Sequence, residues 1–206
     1  MQLENPLFFY LKNLNISKTY FIEVINKSYN PKSIKKNFLF VHSDNIENYK
    51  KYINTILDLK MIKFDKKINS KKNYNYQRSF YNGLPNIESD SLKLYLSLIK
   101  LENQELSYNF GIVYKNYFYY LIPAYTNFLK KISPGKLLLH KILDWCFNNN
   151  ISVLDFGQGE EEYKKKLTDK YNYIGYYYYV NTYKGYLFFI ILILKKITFF
   201  KNLFFK

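Results

Sequence analysis

What the 206-residue chain has little of narrows it first. With one cysteine, Cys146, no disulfide can form within it, and with only two histidines, His42 and His140, a zinc site of histidine and cysteine cannot be assembled. No metal is expected. Arginine is almost missing: of 31 basic residues only Arg78 carries the planar guanidinium that reads base edges and phosphates best, so specific nucleic-acid recognition is not expected. The opening, Met1 to Leu14, lacks a basic segment followed by a clean apolar run, which points away from secretion and toward the cytoplasm.

What is present is lysine, asparagine, isoleucine, tyrosine and phenylalanine, all residues with A- or T-rich codons. Compositional bias therefore accounts for the net charge of +15 and for the 24 tyrosines and 18 phenylalanines, which need not form a stacking platform. The length suffices for one domain with a sizeable core and hardly for two. We expect a single domain over residues 1–185, with its core at 91–180, and an apolar and basic tail at 186–206. The tail holds nine uninterrupted apolar residues, Tyr186 to Leu194, before Lys195-Lys196. Those lysines argue against spanning a bilayer; an interfacial helix on an anionic inner leaflet and an element packed on the domain both remain open.

Asn15 to Ser28 reads as a short helix ended by Asn30-Pro31. Phe38 to His42 reads as a strand, with His42 a surface or capping residue at its end. Ile46 to Met61 repeats apolar residues at near-helical spacing and reads as an amphipathic helix. Lys66 to Lys72, with Asn73 to Tyr76 after it, reads as a solvated loop, or as an electrostatic landing strip for an anionic acceptor. Gln77 to Leu84 reads as a short helix carrying Arg78. Three strands follow, Ser91 to Leu101, Leu106 to Tyr114 and Tyr117 to Ala124, whose short connections force antiparallel hairpins. Tyr173 to Val180 is a further, aromatic strand.

The stretch from Ile132 to Lys166 organises the rest. Ser133 is an N-cap candidate, and Pro134 fits the first helical position. Gly135 and Lys136 fall in the first turn, where free N–H groups and the positive end of the helix dipole face outward and glycine leaves room for a ligand. That chemistry suits an anion such as a di- or triphosphate or the pyrophosphate of coenzyme A; an ordinary capped helix with solvent at its end is the other reading. Leu138, Leu139, Ile142, Leu143, Trp145 and Cys146 form the apolar face, with Cys146 a buried thiol, and Asn148-Asn149-Asn150 ends the helix. Ile151 to Phe156 alternates as a strand, with Ile151, Val153 and Asp155 on one side. Among apolar neighbours Asp155 is either a hydrogen-bonded structural carboxylate or a functional acid with a raised pKa. The strand-helix-strand unit can pair its strands in parallel, so a mixed sheet is expected.

Ser133-Pro134-Gly135-Lys136-Leu137-Leu138-Leu139, a helix carrying a tryptophan, and then Leu154-Asp155-Phe156-Gly157-Gln158-Gly159-Glu160, with Tyr163-Lys164 three residues on, resemble the acyltransferase domain of the cellulose-biosynthesis-associated (CelD-like) branch of the GNAT superfamily. FemABX-type transferases are more distant relatives. The resemblance implies an α/β fold, a central mixed sheet flanked by helices, and an acyl-CoA cosubstrate, acetyl-CoA, whose pyrophosphate lies at Ser133, Gly135, Lys136 and Leu137. It implies acyl transfer by direct attack to an amine or hydroxyl of a cell-envelope sugar or polysaccharide precursor. Asp155 and Glu160 are then the base candidates, Tyr163 the donor of a proton to the departing thiolate, and Lys164 the group that holds an anionic acceptor or polarises the carbonyl. The family usually has a basic residue at Gln158 and an aromatic-glycine pair near Leu167-Thr168-Asp169. Those departures leave two alternatives: an aminoacyl-tRNA-dependent transferase of the FemABX kind, and a non-catalytic transferase fold at the membrane surface.

Overall fold

A computed structural model describes residues 17–24, 38–64, 70–174, 182–188 and 190–191. Its elements in chain order are β1 (Ser17–Glu23), β2 (Phe38–Ser43), α1 (Ile46–Phe64), α2 (Ser70–Gly83), β3 (Leu92–Leu101), β4 (Gln104–Tyr114), β5 (Tyr117–Tyr125), α3 (Pro134–Asn148), β6 (Val153–Gln158), α4 (Glu162–Leu167) and β7 (Tyr171–Ile174). Short 3₁₀ turns lie at Leu84–Ile87 and Lys130–Ile132.

Connection lengths dictate the sheet. Two-residue turns, each opening on a left-handed residue, Glu102 (φ 54°) or Lys115 (φ 54°), fold β3, β4 and β5 into antiparallel hairpins. The 15-residue α3 then carries the chain back across the sheet, so β6 enters parallel to β5. β1 closes antiparallel on β6, and the order is β2-β3-β4-β5-β6-β1-β7. The expected mixed α/β sheet is what forms.

Alternation along the strands supplies two apolar faces. On one, Ile99, Phe118, Tyr120, Leu154 and Phe156 lie beneath Leu138, Leu139, Ile142 and Cys146 of α3. On the other, Leu94, Leu96, Leu98, Phe110 and Ile122 meet Tyr49, Ile53, Ile56 and Leu57 of α1. Each such side chain fully buried stabilises the fold by about 1.5–3 kcal/mol.

Three sequence readings need correction. Asn15 to Ser28 holds no helix over its described residues: Ser17–Glu23 is a strand, because pairing with β6 outweighs local spacing. The polar run expected as a loop up to Tyr76, with a short helix after it, belongs from Ser70 onward to the single helix α2. Arg78 ties α2 to α1: its Nε donates to Asn54 Oδ1 at 2.8 Å, and its guanidinium lies 3.9 Å from Asp58. His42 is no surface residue; its Nδ1 lies 2.7 Å from Ser97 Oγ, its ring stacks on Tyr95 and meets Trp145 at a tilt, and burial lowers its pKa to about 4. The strand read from Tyr173 begins at Tyr171 and is described as far as Ile174; residues 175–180 lie outside the described residues.

The chain divides into two compact units, Ser17–Tyr173 and a second drawn from the two termini. In the second, residues 183–188 are helical, and Thr182 closes the first turn by accepting the Tyr186 N–H at 3.1 Å. Most of the tail lies outside the described residues. Among the described residues no helix is long and apolar enough to cross a membrane.

Candidate active site

β5 and β6 start together and then part. They pair at Tyr117–Val153, Phe118–Leu154 and Tyr119–Asp155; beyond that point β5 runs on to Tyr125 and β6 to Gln158. Near the end of β5 and the start of α3 lies a cavity of about 370 Å³. Tyr120, Pro123 and Tyr125 line it from β5, Gly135, Lys136 and Leu139 from α3, and Glu161, Tyr163 and Leu167 from the segment after β6. The lining is mostly apolar with one ammonium and one carboxylate, the usual make-up of a small-molecule pocket.

The start of α3 differs from the sequence reading in its cap. Ser133 sits at φ 52°, a left-handed conformation that costs a residue with a Cβ roughly 1–2 kcal/mol, and its hydroxyl makes no cap hydrogen bond. Its carbonyl caps instead, accepting the N–H of Lys136 at 2.9 Å and of Leu137 at 3.2 Å. Two of the three amides expected to face an anion are thus engaged, and the Leu137 side chain belongs to the core. Gly135 and Lys136 are the residues that the helix start brings to the cavity. A Cβ built on Gly135 would make an ordinary 3.7 Å contact with Tyr125, so packing alone does not require glycine there. At the other end of α3 the asparagine run behaves as read, with Asn150 at φ 57°.

The turn after β6 is wired internally. Asp155 lies half-buried on the face of the sheet opposite α3, and its Oδ1 accepts the Gly157 N–H at 2.6 Å. Burial raises its carboxyl pKa; that hydrogen bond and the Lys164 charge oppose the rise without cancelling it. Lys164 is 2% exposed, and its Nζ reaches Glu161 Oε2 at 2.8 Å and the carbonyls of Gln158 and Gly157 at 3.1 and 3.3 Å. Glu160, one of the two base candidates, points instead to Lys165 at 3.0 Å on the surface. Partial burial raises the Glu161 carboxyl, but the hydrogen bond from Lys164 and the charges of Lys164 and Lys60 outweigh it and hold Glu161 below the usual carboxylate range. Burial, with the Glu161 charge added, pushes the Tyr163 hydroxyl up to about 12.

Of the residues expected from sequence, Gly135, Lys136 and Tyr163 meet at the cavity. Asp155 lies where the strands part, on the far face. Ser133 and Leu137 take structural parts, and Glu160 lies outside. The sequence reading missed Glu161. It is one of three consecutive exposed glutamates, and the one whose carboxylate meets Lys164 beside the cavity. The cavity's aromatic wall on β5 was legible only as alternation.

A family model described as an acetyltransferase (GNAT) domain matches residues 53–165, more than half of the chain. The chain belongs to this family. The matched part of the GNAT domain runs from α1 to α4 and takes in the parted strands, the start of α3 and the wired turn. Among solved structures, FemX is similar at a TM-score of 0.49 and 12% identity over 70% of this chain and 54% of that one. A functionally unknown conserved protein from Staphylococcus epidermidis ATCC 12228 is similar at 0.45 and 12% over 83% and 64%. The GNAT chain thus spans between about half and two thirds of the solved chains it resembles. No curated protein matches it.

Proposed function

We propose that this GNAT-family acyltransferase moves an acetyl group from acetyl-CoA to an amine or hydroxyl of a cell-envelope saccharide precursor by direct attack. The observation that carries the reading is the parting of β5 and β6 after Tyr119–Asp155, with the cavity on the α3 face and a carboxylate on the other. A donor can enter from one side of the gap and an acceptor from the other.

On the donor side, the Gly135 N–H and the Lys136 ammonium meet the pyrophosphate, helped by the positive end of the α3 dipole. Tyr120, Pro123, Tyr125 and Leu139 offer an apolar wall to the arm that carries the thioester. On the acceptor side, Asp155 takes the proton as the nitrogen or oxygen attacks the thioester carbonyl; its raised pKa suits a base. The carbon–sulfur bond breaks, and Tyr163, protonated at neutral pH, returns a proton to the thiolate. A basic protein of net charge +15 also suits an acceptor presented at an anionic membrane surface.

The test is transfer of labelled acetate from acetyl-CoA to a panel of amino and hydroxyl saccharides. Asp155→Asn is expected to lower turnover by about 100-fold or more while the dissociation constant for acetyl-CoA stays within about twofold. Undiminished turnover would remove Asp155 from the chemistry.

A further inference from the structure

Lys164 stands in the motif where a catalytic or substrate-holding cation is expected, yet its ammonium has nothing left to offer a substrate. A lysine has three N–H donors, and here three acceptors meet them: Glu161 Oε2, the Gln158 carbonyl and the Gly157 carbonyl. At 2% exposure the group is also out of reach of an acceptor. A buried charge is retained at a cost in desolvation, so its partners explain it.

Those partners lead to Asp155. Gly157 is held from both sides: its N–H donates to Asp155 Oδ1 at 2.6 Å, and its carbonyl accepts from Lys164 at 3.3 Å. Glycine at φ 68° has ready access to other conformations, so the direction of that N–H depends on what grips the rest of the residue. The same ammonium holds Glu161 over Gly159, where a Cβ would come within 2.6 Å of the carboxylate; the missing side chain of Gly159 is the seat of Glu161. Glu161 in turn lines the cavity. One buried cation therefore ties the carboxylate on the far face of the gap to the carboxylate in the cavity.

We infer that Lys164 is a positioning residue, whose buried ammonium clamps Gly157 onto Asp155 and seats Glu161 in the cavity. The role in catalysis rests on the acyl-transfer reading above; the clamp itself does not. Asp155 faces Tyr119 from β5, the apolar Phe21 from β1 and the Lys164 charge from α4. Only Lys164 among these carries a positive charge.

The experiment is a carbon-13 carboxyl titration of Asp155 by NMR, without donor or acceptor, in wild type, Lys164→Met and Lys164→Arg. The Asp155 midpoint is expected to rise by about one pH unit in Lys164→Met and to return toward the wild-type value in Lys164→Arg. An unchanged midpoint in a folded Lys164→Met would overturn the inference. Should Lys164→Met fail to fold, the wild-type ammonium signal of Lys164 decides: its shift is expected to follow the Asp155 titration, and a signal indifferent to it overturns the clamp. Absence of acetyl-CoA binding, measured separately by calorimetry, would sink the donor reading and leave the carboxyl titration to be judged on its own.

Discussion

The two ends of the α3–β6–α4 segment use their polar groups in opposite ways. At the start of α3, Gly135 and the exposed Lys136 line a cavity, and packing alone does not require a glycine between Pro134 and Lys136. At the turn after β6, Asp155, Gly157, Glu161 and Lys164 bond to one another across a few residues. The residues that look most like catalysts, Glu160 and Lys164, are those already partnered, while the least reactive residue, Gly135, stands at the open ground. Charge in a motif marks what the turn needs as often as what the reaction needs.

That contrast can be broken most severely at Lys164. Lys164→Met removes two charge-assisted hydrogen bonds to carbonyls and an ion-pair contact with the half-exposed Glu161, and is expected to lower unfolding free energy by about 2–3 kcal/mol in urea titration. An exposed lysine beside it, Lys165, serves as the contrast: Lys165→Met should leave the urea midpoint where it is. Equal effects would mean that burial of Lys164 is incidental.

A smaller effect is expected at Gly159. Gly159→Ala puts a Cβ at φ 125° and against the Glu161 carboxylate, and should cost about 1–3 kcal/mol by the same measurement. Combining it with Glu161→Ala removes the collision but not the backbone strain, so partial recovery is expected. Full recovery would mean that strain contributes nothing.

Asp155 sharpens the comparison through pH. Its folded pKa is raised, so between the ordinary aspartate value and the raised one the folded protein holds more protons than the unfolded chain, and stability falls as pH rises through that window. Asp155→Asn keeps an oxygen for the Gly157 N–H and abolishes the slope. The variant is expected to melt above wild type at pH 7, with the advantage vanishing below the ordinary carboxylate range. A variant that melts lower at neutral pH would mean that the charged form of Asp155 stabilises the fold.

Much of the fold is legible in local pattern, and the failures share one cause. α3 and the β3–β5 hairpins follow from apolar spacing and turn length, both properties of neighbouring residues. β1 does not, because Ser17–Glu23 becomes a strand through pairing with β6, more than a hundred residues away. The start of α2 is hidden because its polar residues carry no apolar stripe. At the site, the position of Gly135 and Lys136 follows from helix-start chemistry, whereas the choice between Glu160 and Glu161 turns on which carboxylate meets Lys164 beside the cavity. The burial of Lys164 could be read only once its three acceptors were in space.

The central claim is that the start of α3 holds the donor's pyrophosphate. Calorimetric titration of acetyl-CoA into wild type and into Gly135→Glu tests it most directly. A carboxylate in the first turn agrees with the helix dipole and should leave the melting temperature unchanged, while repelling an anion bound there. Binding by wild type and its loss in the variant is the result expected. Equal affinity in both proteins would contradict the claim and move the donor elsewhere on the domain.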